Sequence, residues 1–208
     1  MIKAVIFDID GVLADSLAAN HKFFTDLMNK YGYPFMKIEE YSGIFHMHMK
    51  DIIKHSTKLE DEQEIQKIWI SGRDRDVRYP DELIIVPTKL EEIIKSLSKK
   101  YLLGIVTSRE RAGIYSLPHL GKLKKFFKVE VAYSDTKEHK PHPEPLLLAA
   151  QKLGVEPSEC VYVGDSKTDI HAAKAAGMKS IKFKGNIFKD ADAHITEFSK
   201  LLEIIPNL

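Results

Sequence analysis

The chain has 208 residues, 44% hydrophobic and 29% charged, enough for one core of ordinary size plus a small inserted unit. Its 31 basic and 30 acidic residues leave a formal charge of +1, which gives no support for a nucleic-acid or membrane partner, and the composition excludes disorder. No apolar run reaches the roughly 18 residues of a membrane span, the charged opening is not a secretory leader, and the single Cys160 cannot close an internal disulfide; a cytoplasmic protein is expected.

Residues 3–7 form a short β-branched apolar run that predicts a buried strand feeding a polar loop at Asp8, Asp10 and Gly11. From 15 to 84 the strand rhythm stops. Phe23, Phe24, Leu27, Met28 and Tyr31 make a helical stripe ended by Gly32 and Pro34. Further helices are expected over 47–55 and 61–69, with a turn-like stretch over 72–80. Pro87 opens the next helix, whose Leu90, Ile93, Ile94 and Leu97 share one face. Strands are then expected at 102–106, 129–132, 161–163 and 180–183, and helices at 145–153 and 168–176, the last closed by Gly177. Alternating strands and helices imply a doubly wound parallel α/β sheet. The expected division is a core of 1–14 and 85–208 with an all-helical insert at 15–84.

In such a sheet, ligands gather beyond the carboxyl ends of the strands. Asp8 and Asp10 end the first strand, Thr107 and Ser108 end the second, and Gly164-Asp165 ends the run at 161–163. Topology alone brings these groups to one rim. Two carboxylates as close as Asp8 and Asp10 either share a cation or divide their roles, one ionised and one carrying a proton. An EF-hand loop beginning at Asp8 wants glycine sixth and glutamate twelfth, where this chain has Leu13 and Ala19. With Thr107, Lys140, Asp165 and Asp169 the parts suit phosphoryl chemistry. Lys140 opens a restricted Lys-Pro-His-Pro backbone, and Ser166 is the better cap for the helix that follows Asp165.

Four segments carry a family resemblance. Asp8-Ile9-Asp10-Gly11-Val12 resembles the first motif of the haloacid dehalogenase superfamily, and Ile105-Val106-Thr107-Ser108 the second. Lys140-Pro141-His142-Pro143-Glu144 resembles the third, and Val163-Gly164-Asp165-Ser166-Lys167-Thr168-Asp169 the fourth. The helical insert is similar to the type 1 cap of the phosphoglycolate phosphatase and β-phosphoglucomutase branch. The resemblance implies Asp8 as nucleophile and Asp10 as general acid and base. It implies Mg²⁺ held by an Asp8 oxygen, the Asp10 carbonyl and Asp165, with Asp169 a ligand or a brace behind the ligands. Thr107, Ser108, Lys140 and Gly11 would bind the phosphoryl group. The second aspartate, absent from the dehalogenases proper, favours phosphate-ester hydrolysis or phosphoryl transfer.

The implied enzyme is a Mg²⁺-dependent phosphatase of a small phosphomonoester, phosphoglycolate-phosphatase-like, with a β-phosphoglucomutase-like mutase, an inorganic pyrophosphatase and a non-catalytic phosphate-binding module as alternatives. In related caps a glycine-centred loop faces the active site. Tyr41-Ser42-Gly43 would supply it here, making Ile44, Phe45, His46 and Lys50 substrate-contact candidates. His21 reads as a helix-surface histidine, and His46 with His48 is poorly spaced for a metal site on one helix face. Arg109 either contacts phosphate or begins the next helix. Arg73, Arg75 and Arg78 read as a solvated face, Trp69 as insert core and Cys160 as an inert buried thiol. No membrane or nucleic-acid partner is implied, and nothing in the sequence sets the oligomeric state.

Overall fold

A computed structural model describes residues 1–45 and 47–208 and divides the chain into two compact units, Met1–Asp15 with Val86–Leu208, and Ser16–Ile85. The first unit is built on a six-stranded sheet in the order β3-β2-β1-β4-β5-β6: β1 (Ala4–Phe7), β2 (Leu102–Val106), β3 (Phe127–Val131), β4 (Cys160–Gly164), β5 (Lys179–Phe183) and β6 (Ala193–Ile195). All neighbours are parallel, with Ala4 opposite both Leu102 and Cys160. The short, fully buried β1 is thus an inner strand, which explains its unbroken apolar run.

Both faces of the sheet are covered, as parallel sheets require. Ala4, Ile6 and Tyr162 face one side with Leu146, Ala149, Ala172 and Ala173, which belong to helices α7 (Glu144–Leu153) and α8 (Lys167–Ala175). Phe7 faces the other side, edge-on to Phe127 at 6.2 Å between ring centres and 6.1 Å from Phe198. Helix α5 (Leu90–Leu97) buries Leu90, Ile93, Ile94 and Leu97, the face its spacing predicts. Gly177 stops the turn after α8 at φ +72°.

The second unit holds α1 (Leu17–Lys30), α2 (Ile38–Ile44), α3 (Met49–Thr57) and α4 (Glu62–Arg73), with no strand among its described residues. Phe23, Phe24, Leu27, Met28, Tyr41, Ile52, Ile53, Ile65 and Ile68 form its core. No helix among the described residues is long and apolar enough to cross a membrane.

Several expectations shift. The stretch expected as a glycine-centred loop at Tyr41-Ser42-Gly43 lies inside α2, because Tyr41 is buried in the helical core and holds the turn. Helix α4 runs on through Gly72, whose missing side chain admits Leu27 and Met49. The third strand begins at Phe127 rather than 129, since Phe127, Val129 and Val131 alternate inward. Strand β6, α6 (Pro118–Leu123) and α9 (Leu201–Ile204) have too few residues to show a period.

Candidate active site

Asp8 sits one residue past β1, its amide still in the ladder to the Val163 carbonyl at 3.0 Å. The chain then turns back, with the amides of Leu13 and Ala14 bonded to the Ile9 carbonyl at 2.9 and 3.0 Å. Gly11 takes φ +78°, and a side-chain carbon there would fall 2.1 Å from Asp165 Oδ2. Only glycine lets the first loop meet the Asp165 carboxylate so closely. Across the rim, Gly164 does the same for Asp169, where an added carbon would lie 2.3 Å from the Asp169 Cβ.

Lys140 arrives from the loop before α7. The Glu144 carboxylate, at the start of that helix, accepts the amides of Lys137 and Glu138 at 3.3 and 2.9 Å and fixes the loop's path. The Lys140–Pro141 peptide is cis. Lys140 Nζ donates to Asp8 Oδ2 at 2.8 Å, Asp169 Oδ1 at 2.7 Å and Tyr162 OH at 3.0 Å. An ammonium has three donors, so each is engaged.

Asp169 is braced from several directions. Its Oδ2 accepts the Asp165 amide at 3.2 Å, the Ser166 amide at 3.0 Å and the Ser166 hydroxyl at 2.6 Å. Ser166 is the N-cap of α8, and its hydroxyl also accepts the Asp169 amide at 3.2 Å, closing a capping box.

Carboxylate oxygens of Asp8, Asp165 and Asp169 all lie within 4.8 Å of one another. Three hard oxygen donors at that spacing fit a divalent cation such as Mg²⁺. The electrostatics fit as well. Burial first, then Asp169 and Asp10, pushes Asp8 up to about 7 against the pull of Lys140. Asp165 is raised too, by burial and then by Asp169 and Asp8. Asp169 goes the other way: burial opposes its charge, but Lys140 and Ser166 outweigh burial and hold it low. Burial likewise opposes the Lys140 charge, and Asp169 and Asp8 overcome it. The lysine's charge thus serves Asp169 best. Asp8 and Asp165 keep a deficit of positive charge that a bound cation relieves.

The Asp10 side chain stands apart from the three carboxylates. Arg109 grips it at both oxygens, Nε to Oδ2 and Nη2 to Oδ1, each at 2.7 Å, and Nη1 donates to the Gly113 carbonyl at 3.3 Å. Arg109 therefore does not begin a helix; it lies in the loop after β2 and turns its guanidinium to the first motif. Thr107 is 4% exposed, and its hydroxyl accepts the Arg109 amide at 3.2 Å. Ser108 is half-buried beside it.

In the helical unit, Ile44 and Phe45 pack against the apolar core, and Lys50 Nζ lies 4.6 Å over the Trp69 ring. His46 lies outside the described residues. His48 caps α3, its Nδ1 accepting the Lys50 amide at 3.3 Å. His21, read as a surface histidine, is half-buried, its Nε2 2.9 Å from the Met36 carbonyl. Burial pushes the Cys160 thiol up to about 11, which suits an inert role.

Tyr162 and Lys182 escape the sequence reading. Tyr162 OH links Lys140 to the Val106 carbonyl at 3.1 Å, but a tyrosine inside an apolar strand reads as core. Lys182, the penultimate residue of β5, is only 6% exposed, its Nζ on the Lys184 carbonyl at 2.9 Å; a lysine in a buried strand is the available signal.

A family model for haloacid dehalogenase-like hydrolases matches residues 5–183. The pyrophosphatase PpaX of Bacillus cereus (strain G9842) is 31% identical over 215 aligned positions, spanning 100% of this chain and 98% of that protein. A haloacid dehalogenase-superfamily hydrolase of subfamily IA from Geobacter sulfurreducens superposes with a TM-score of 0.74 at 27% identity, covering 98% of this chain and 96% of that one. A β-phosphoglucomutase from Clostridium difficile shares the fold at TM-score 0.83 and 22% identity, covering 100% of this chain and 96% of that one.

Proposed function

The chain belongs to the haloacid dehalogenase-like hydrolases, and from that membership we propose a Mg²⁺-dependent phosphatase of small phosphate esters working through an aspartyl-phosphate. The observation that carries this reading is Asp8 at the strand-end rim, 2.8 Å from Lys140 and grouped with Asp165 and Asp169. Asp8 and Asp165 side chains, with the Asp10 carbonyl, are the proposed ligands. Bound there, Mg²⁺ supplies charge to the phosphoryl oxygens and favours ionised Asp8.

Asp8 attacks phosphorus, and its O–P bond forms as the ester P–O bond breaks. Asp10 passes its proton to the departing oxygen. Water then attacks the phosphoenzyme, Asp10 takes the water's proton, and the Asp8 carboxylate returns as phosphate leaves. Lys140, turning the donor it gives Asp8 to the substrate as Asp8 becomes bonded to phosphorus, binds the phosphoryl oxygens with the Thr107 hydroxyl and the groups at Ser108 and Gly11. Asp169 acts as a brace, since both of its oxygens already accept from Lys140, Ser166 and main-chain amides.

Phosphate release from an aryl phosphate, with and without Mg²⁺, tests the reading. Asp8→Asn is expected to abolish release, because an amide is a poor nucleophile; near wild-type activity in that variant would refute the mechanism. Inactivity of the wild type on many esters despite bound Mg²⁺ would favour a binding module. A second reading, inorganic pyrophosphatase, is favoured by the 31% identity to PpaX and needs the same residues acting on an anhydride. Glucose 6-phosphate formed from β-glucose 1-phosphate without net phosphate release would instead mark a mutase.

A further inference from the structure

We propose that Arg109 is a specificity-determining residue that selects substrates whose leaving group carries a second anionic charge. The inference rests on the phosphatase reading and deepens it. Both Asp10 oxygens are held by Arg109 at 2.7 Å, and the two side chains are only 15% and 19% exposed. Asp10 serves the departing oxygen only after this bidentate grip loosens. The guanidinium then gives up two charge-assisted hydrogen bonds to a carboxylate in a mostly buried position, while its Nη1 bond to the Gly113 carbonyl stays. Breaking a mostly buried ion pair without replacing the lost carboxylate is costly.

An anion on the leaving group removes that cost. A carboxylate or phosphate a few bonds beyond the scissile oxygen takes the fork geometry that Asp10 gives up, since guanidinium pairs with either group through two parallel hydrogen bonds. Asp10 is released towards the oxygen it must serve. A neutral leaving group offers no replacement, so the pair resists opening. Two sources share this chemistry: the second phosphate of pyrophosphate and the carboxylate of a phosphorylated hydroxy acid. Arg109 is reachable for this exchange because it lies two residues past Thr107 on the same rim loop, its amide on the Thr107 hydroxyl at 3.2 Å.

The test compares kcat/KM for pyrophosphate, 2-phosphoglycolate and 4-nitrophenyl phosphate in the wild type and in Arg109→Gln. Each substrate's wild-type-to-variant ratio cancels its intrinsic reactivity. The variant is expected to lose about 10- to 100-fold more on at least one anionic substrate than on the aryl ester, the worth of a charge-assisted bidentate contact. Whichever anionic substrate shows the excess identifies the source. Guanidinium ion added to Arg109→Ala is expected to restore part of that excess and little of the aryl rate.

Equal losses on all three substrates would make Arg109 a mere brace for Asp10 and overturn the proposal. So would a wild type that cleaves the aryl ester and neither anionic substrate. A wild type that releases phosphate from nothing ends the phosphatase reading itself, and this inference with it. Should the variants not fold, wild-type inhibition decides: methylenediphosphonate is expected to bind at least about 10-fold more tightly than methylphosphonate, and equal inhibition overturns the proposal.

Discussion

At the scale of single residues, the site is a problem of too many acids and one buried lysine. The Lys140 ammonium is shared between Asp8 and Asp169, and Asp169 has the better additional donors. Asp8 is consequently raised from 3.8 to about 7. Between those values the folded protein holds a proton that the unfolded chain has released, so this group's contribution to metal-free stability falls as pH rises through that window. Mg²⁺ competes with the same proton. Its affinity, measured by calorimetry, is expected to rise about 10-fold from pH 6 to pH 8; a flat profile would remove Asp8 from the ligand set. Gly11→Ala is expected to abolish Mg²⁺ binding and activity while leaving the helical unit's circular dichroism intact. Its added carbon meets Asp165 Oδ2 at 2.1 Å in a left-handed turn. Asp8, Lys140 and Asp165 were legible in the sequence because each lies in a short motif at a strand or loop end. The Arg109 grip on Asp10 was not, because it joins positions 99 residues apart and no spacing rule reaches that far.

At the scale of the element, helix α8 does two jobs through one cap. The Ser166 hydroxyl accepts the Asp169 amide and donates to its carboxylate at 2.6 Å. Helix initiation and placement of an acid in the three-carboxylate cluster therefore share a side chain. Ser166→Ala is expected to cost about 1 kcal/mol in thermal or urea unfolding, the usual worth of an N-cap. Mg²⁺ affinity should weaken in the same variant, because Asp169 loses a partner that holds its charge. A stability loss with unchanged affinity would mean that Lys140 alone positions Asp169. Ser166 was legible as a cap from its place before a helical period. The three-residue β6 and the four-residue α9 were not legible, since neither carries a measurable period. Helix α2 was missed for a different reason: Gly43 argues for a turn, and only the burial of Tyr41 overrides it.

At the scale of the whole molecule, each unit has its own apolar core. The helical unit's cluster draws on residues between Leu17 and Tyr79 alone. The segment 16–85, produced by itself, is expected to keep a helical far-ultraviolet spectrum; a coil spectrum would mean that its cluster is too small to stand alone. The parallel sheet was legible from alternation of strand and helix, and the strand-end rim followed from it. Strand order beyond β1 was not, because it depends on which apolar runs meet in space. That order has a consequence for the chain as it is made. Of the sheet's strands, the one earliest in the chain is an inner one, flanked by Leu102–Val106 and Cys160–Gly164. At roughly 5–20 residues per second, the latter flank follows by about 8–30 s. Through that interval β1 lacks at least its Cys160–Gly164 flank, with Asp8 beside it and Asp165 not yet translated. Catalytic competence thus arrives late, and the nascent chain's need is for something to shelter β1.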